Sequence, residues 1–236
     1  ATFSADSLAV LQYTGGTTGV MKAAMLSHRN LLCNVEQIAN SMGEDFPGAG
    51  AVMVAPLPLY HIYAFNLNFV MSLLRGHQAL LIPNPRDVDA FIAVLGRVKM
   101  RGFVGINTLY SSLLDNPGFR QLDFTTLALA ASGGMPLSPQ VAAAWRELTG
   151  KPILEGYGLT ECSPMVSCNT HRYHRAGTAG RIAAGTEVRL FASDGSEVAC
   201  GGLGEICVRG PQVMQGYWNN AAETAHVIDA DGWLHT

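Results

Sequence analysis

The 236-residue chain predicts an α/β fold, with a mainly parallel sheet flanked by helices over residues 1–175 and a small β-rich, barrel-like subdomain over 176–236. Three observations carry this expectation. Short apolar runs at 8–13, 51–56, 79–82, 103–106, 127–131 and 153–155 read as strands. Between them apolar residues recur at helical spacing, and strands alternating with helices favour a parallel sheet. From about residue 176 the pattern becomes strict alternation, in Glu187-Val188-Arg189-Leu190-Phe191 and Glu205-Ile206-Cys207-Val208-Arg209 around an Asp194-Gly195 turn, which reads as a β-hairpin region.

The elements follow in order. The run 8–13 leads into a glycine-rich loop, after which Ser27 is placed to cap a helix carrying Leu31, Leu32, Val35, Ile38 and Met42 on one face. The run 51–56 precedes a segment, 64–74, rich in Leu, Phe and Met and read mostly as core. Asp87 caps the pattern Phe91, Val94, Leu95, Val98, and Ser138 with Pro139 opens a helix that Gly150 closes.

Charged residues make up 14% of the chain, against about 25% in typical domains, and hydrophobic residues 48%, so the sequence reads like the interior of something larger. A net charge of −3 leaves no basic footprint for nucleic acid and suits a small-molecule substrate. Five cysteines without a C-x-x-C pair point to free thiols in a reducing compartment, by default the cytoplasm. No apolar run reaches transmembrane length and the first residues do not read as a secretion signal. The chain opens on a strand-like run and stops at Gly232-Trp233-Leu234-His235-Thr236, so both ends are expected to be cut.

Chemistry concentrates in two clusters. In the first, Thr14, Gly15, Gly16, Thr17, Thr18 and Gly19 precede Lys22: small residues that expose backbone N–H groups, hydroxyl donors and one cation, as a polyphosphate requires. The spacing excludes the usual P-loop, because Lys22 sits three positions after Gly19 and is followed by Ala23. An ordinary flexible glycine turn reads the same from this loop alone. The second cluster, Glu155-Gly156-Tyr157-Gly158-Leu159-Thr160-Glu161, follows a predicted strand, where open α/β sheets bind ligands. Tyr157 offers an aromatic face, Thr160 a hydroxyl and Glu161 a hard oxygen for Mg²⁺, although a simple Gly-Tyr-Gly turn fits equally. Cys162, Cys168, His171 and His174 bunch together but match no zinc spacing, and read as apolar fillers and loop surface.

Taken together, these motifs resemble the adenylate-forming acyl-CoA synthetases. Tyr13 to Lys22 is similar to that family's phosphate-binding signature, Leu57-Pro58-Leu59-Tyr60-His61 to its next motif, Ala131 to Leu137 to its adenine-side loop, and Glu155 to Glu161 to its aromatic and magnesium motif. Gly204 to Pro211 with Gly216-Tyr217-Trp218 resembles the core motif that follows. The stretches Gly105 to Tyr110 and Pro211 to Met214 look most like bacterial long-chain fatty-acid CoA ligases, while Met21 and Ala23 depart from the Pro and Gly usual around the lysine.

The resemblance implies adenylation of a fatty acid by ATP, with release of pyrophosphate, then thioester formation with coenzyme A. It implies that Thr14 to Gly19 and Lys22 hold the β- and γ-phosphates, that Thr160 meets the α-phosphate, and that Glu161 binds Mg²⁺ with Thr14 as a second contact. Lys22, Thr160 and Glu161 are the catalytic candidates. The resemblance implies that Tyr157 stacks on adenine in a pocket of Gly133, Gly134, Glu155 and Gly156, with Gly158 also a nucleotide-binding residue. On the acyl side it implies Asn107, Gly134 and His61, the last of which reads equally as a hydrogen-bonded core histidine. The family's ribose-binding aspartate and C-terminal lysine fall beyond Thr236 and its N-terminal portion before Ala1, so the chain is expected to be a central piece that does not turn over by itself. Another carboxylic acid as substrate, a non-catalytic nucleotide-binding or scaffold role, peripheral contact with the inner membrane and oligomerisation all stay open.

Overall fold

The structure, a computed structural model, describes residues 4–14 and 21–236. It begins with an antiparallel pair, β1 (Leu8–Thr14) and β2 (Lys22–Ser27), in which Thr14 is the cross-strand partner of Lys22. The glycine-rich loop therefore joins two strands, where the sequence led us to expect a strand followed directly by a helix. On its other edge β2 exchanges backbone hydrogen bonds with 215–218, including Met25 N to the Gly216 carbonyl at 2.8 Å and Trp218 N to the Ala23 carbonyl at 2.8 Å.

Helix α1 (His28–Met42) starts at Ser27 as predicted. The Ser27 hydroxyl accepts from Asn30 N, and the Asn30 side chain accepts from Ser27 N at 2.9 Å, a reciprocal cap that satisfies two otherwise orphaned amides. Ser27→Ala is expected to cost about 1 kcal/mol, read as a lower urea midpoint at unchanged slope. Leu31, Val35, Ile38 and Met42 face inward, but Leu32 is exposed. Beside the apolar stripe runs a buried amide stripe at helical spacing, Asn30, Asn34 and Gln37. Asn34 donates to the Met165 carbonyl (2.8 Å) and accepts from Met165 N (3.1 Å), and Gln37 donates to the Ala184 carbonyl (2.8 Å).

The main sheet has seven strands. After β3 (Val52–Ala55), the short helix α2 (Ile62–Ala64), a π-helical turn at Phe65–Val70 and α3 (Met71–Arg75) lead to β4 (Gln78–Leu81). Next come α4 (Val88–Leu95), β5 (Met100–Gly105), α5 (Asn107–Leu114), β6 (Leu129–Ser132), α6 (Pro139–Thr149) and β7 (Leu154–Gly158). The strand order is β4-β3-β5-β6-β7, all parallel, continued by antiparallel β8 (Met165–Cys168) and β9 (Arg181–Ile182). The predicted caps hold: Asp87 accepts from Ala90 N at 3.1 Å, and Gly150 closes α6 in the left-handed conformation. One face of the sheet packs on an aromatic cluster around fully buried Trp145, with Tyr110, Phe103 and Phe119 at ring separations of 4.8, 5.7 and 5.9 Å. The Tyr110 hydroxyl donates to the Ala131 carbonyl at 2.8 Å, fixing the end of β6.

Segment 64–74 is less of a core element than its composition suggests. Ala64, Asn66, Asn68 and Met71 are buried, while Phe69, Leu73 and Leu74 are exposed. The remainder of the chain forms an antiparallel three-stranded sheet of β10 (Glu187–Phe191), β11 (Glu205–Arg209) and β12 (Leu234–His235), with α7 (Ala221–Val227) before β12. The Asp194-Gly195 turn folds Glu197 back onto Phe191, and β11 pairs with β10 only after a further loop.

Candidate functional site

The carboxyl ends of β6 and β7 open on one cavity of about 440 Å³, within the usual range for small-molecule sites. Its polar lining comes from Thr14 and Lys22 of the β1–β2 pair and from Thr160 and Glu161 of the turn after β7. Gly133 and Gly134 follow β6, and Gly156, Tyr157 and Gly158 belong to β7 itself. Its aliphatic lining is Ile38 and Met42 of α1, Leu67, Leu154 and Met165, which pack in one apolar cluster.

Of the residues singled out in the sequence, Thr14, Lys22, His61, Gly133, Gly134, Gly156, Tyr157, Gly158, Thr160 and Glu161 line this cavity. Gly15, Gly16, Thr17, Thr18 and Gly19 lie outside the described residues. Asn107 and Glu155 are not among the lining residues. Asn107, at the start of α5, accepts from Ser138 N at 2.8 Å and so ties α5 to the cap of α6. Glu155 accepts from Gly177 N at 3.3 Å, steadying the loop after β8. His61 is exposed and not a core residue; its Nδ1 accepts from Tyr63 N at 3.2 Å, capping α2 at the rim. Cys162 and Cys168 are buried, and His171 pairs with the Ala128 carbonyl at 2.9 Å. Those two cysteines with His171 and His174 form no metal cluster among the described residues.

Two partners of the polar lining were not legible in the sequence. Lys22 is ion-paired with Glu223 of α7 and sits over the Tyr217 ring, 5.1 Å from its centroid. The Lys22 ammonium holds the Glu223 carboxyl below its ordinary range. Tyr217 donates its hydroxyl to one Glu161 oxygen at 2.7 Å, and among the described residues the other oxygen takes no hydrogen bond. Burial and that bond to a carboxylate push the Tyr217 phenol well above its ordinary pKa, so it stays a donor. Tyr217 belongs to the Gly216-Tyr217-Trp218 motif, from which the sequence suggests no role for it, and nothing in the sequence marks Glu223.

The cavity lining also carries two unpaired polar groups. The Tyr63 hydroxyl and the Ser132 hydroxyl are both buried and have no hydrogen-bond partner among the described residues. Both line the cavity, and burial raises the Tyr63 phenol. Buried orphan hydroxyls are rare in folded proteins and mark a place where a ligand's polar atoms can sit. Tyr63 also explains Gly133, where a Cβ would lie 3.3 Å from its ring.

The sequence matches the family of AMP-binding enzymes over residues 1–218. It is 49% identical to a long-chain-fatty-acid–CoA ligase of Salmonella typhimurium over 234 residues, which is 98% of this chain and 41% of that protein. It is 43% identical to the ligase of the same name from Haemophilus influenzae, over 99% of this chain and 42% of that protein. The chain thus spans about two-fifths of the length of these relatives. Among solved structures, ATP-bound MatB from Rhodopseudomonas palustris superimposes with a TM-score of 0.88 at 32% identity, over 99% of this chain and 46% of that one. No helix of the described residues is long and apolar enough to cross a membrane.

Proposed function

The chain belongs to the AMP-binding enzyme family, and from that premise we propose that it carries the nucleotide and acyl sites of an ATP-dependent, AMP-forming ligase joining long-chain fatty acids to coenzyme A. The observation that carries this reading is one cavity whose lining joins both kinds of side chain. A cation, hydroxyls and a carboxylate line it together with a cluster of aliphatic side chains, so it offers contacts to both a phosphate anhydride and an apolar tail.

In this reading the fatty carboxylate attacks the α-phosphorus of ATP, its oxygen forms the new bond, and pyrophosphate leaves with the bonding pair. Lys22 and the 14–19 loop receive the pyrophosphate, with Glu223 giving up Lys22 as the anion arrives. Thr160 donates to the α-phosphate, Tyr157 and Gly133 flank the base, and the orphan hydroxyls of Tyr63 and Ser132 meet polar atoms of the adenylate. Coenzyme A thiol then displaces AMP. Preorganised donors of this kind act where charge develops, in a site that holds little water.

Mg²⁺ fits the donors present: the free oxygen of Glu161 is a hard ligand, with the Thr14 and Thr160 hydroxyls lining the same cavity. When bound it supplies charge that offsets the phosphates. The test is calorimetric titration of the chain with ATP, with and without Mg²⁺, followed by non-hydrolysable acyl-adenylate analogues. One Mg²⁺-dependent site is expected, and a long-chain analogue that binds more tightly than AMP or an aryl analogue. A silent ATP titration would remove the nucleotide site, and a preference for the aryl analogue would remove the fatty acid. The thioester step is expected to draw on parts of the relatives' length that this chain does not span, so acyl-CoA made from ATP, fatty acid and coenzyme A would show that it performs the whole reaction alone.

A further inference from the structure

On the three-stranded sheet, away from the nucleotide cavity, Glu205, Cys207 and His235 bring three different donor atoms within 4.8 Å of one another. The backbone dictates the meeting. Glu205 and Cys207 are two apart on β11 and so share a face, and Cys207 is the registered partner of His235 on β12. His235 Nδ1 lies 3.3 Å from Cys207 Sγ and 3.0 Å from a Glu205 oxygen. We propose that these three residues form a binding site for a zinc-type divalent cation that staples β12 to β11.

Two features support the assignment. Sulfur, imidazole nitrogen and carboxylate oxygen are the donors zinc takes, and around a tetrahedral ion they stand about 3.4–3.6 Å apart, a few tenths of an ångström from the two spacings that His235 Nδ1 makes. The ring is also held from behind: its other nitrogen, Nε2, lies 3.5 Å from an Asp229 carboxylate, the support that orients metal-bound histidines. Binding takes the thiol as thiolate and releases its proton to solvent. Cys207 is buried, whereas Glu205 and His235 reach the surface, leaving the fourth position open to water.

The site has a route to the cavity. Thr236, next to His235, accepts from the Tyr157 hydroxyl at 3.4 Å, so pinning β12 also fixes a neighbour of the proposed adenine wall. The test uses the chain stripped of metal and free of nucleotide, titrated with Zn²⁺ against a chromophoric chelator and, separately, with Co²⁺. One equivalent of Zn²⁺ is expected to bind, and Co²⁺ to give the near-ultraviolet band of a thiolate ligand. Cys207→Ser should abolish the band, and His235→Gln and Glu205→Gln should each weaken Zn²⁺ binding more than about tenfold. The last two alter surface-reaching side chains, so they decide the matter even if Cys207→Ser folds poorly. Cys200→Ser, at the exposed thiol, should change nothing. Absence of stoichiometric binding, a band surviving Cys207→Ser, unchanged affinity in His235→Gln and Glu205→Gln, or a band lost with Cys200→Ser would overturn the proposal.

Discussion

Glu161→Gln is expected to abolish the Mg²⁺ dependence of ATP binding and to lower ATP–pyrophosphate exchange in the enzyme by at least about a hundredfold, with the thermal midpoint nearly unchanged. Gln is the informative replacement because of Tyr217. That phenol is only 5% exposed and donates to Glu161. Alanine would strand it, at a cost of about 1–3 kcal/mol, and so confuse lost catalysis with lost stability. Glutamine keeps an acceptor oxygen for the phenol and removes only the charge. Calorimetry with and without Mg²⁺ separates the contributions: the Mg²⁺-free affinity should stay put while the Mg²⁺-dependent gain disappears. If the variant keeps both the gain and full exchange, Glu161 is a structural acceptor for Tyr217 and the metal lies elsewhere.

The parallel half of the fold was legible because its signals are local. Strand runs between capped helices need only a period and a punctuating residue, and Ser27, Asp87, Pro139 and Gly150 do what their chemistry favours. What escaped was carried by partners distant in sequence. Strand β2 followed the glycine loop too closely to separate from it, and its pairing is with β1 and 215–218. The amide stripe of α1 looks like surface until β8 and residue 184 are placed against it. The site divides in the same way. Tyr157, Thr160 and Glu161 stood out as a cluster on one loop, whereas Glu223, Tyr63 and Ser132 become notable only when the cavity shows an ion pair and two orphan hydroxyls. The zinc-type site combines both lessons: the cysteines and histidines adjacent in sequence do not converge, while Glu205, Cys207 and His235 are joined by strand register.

The loop that carries Thr160 and Glu161 should be most sensitive to a change that touches neither residue. Gly158 ends β7 opposite Met165 of β8, and an added Cβ would run into the Pro164 carbonyl, with Met165 Cα only 3.1 Å away. These obstacles are backbone, which cannot rotate aside, and the same carbonyl already accepts from Leu159 N at 3.0 Å. Relief must come from parting β7 and β8, which moves the turn holding Thr160 and Glu161. Gly158→Ala is therefore expected to destabilise by about 3 kcal/mol, the upper end for overpacking, and to weaken ATP binding as well. Gly134→Ala is the matched control. That glycine lines the same cavity at φ +78° with nothing within 4 Å of an added Cβ, so only backbone strain of about 1 kcal/mol opposes the change. Urea midpoints for the pair, with ATP titrations of each, check the argument. A Gly158→Ala protein no less stable than Gly134→Ala would mean that the β7–β8 corner yields freely and does not hold the site in place.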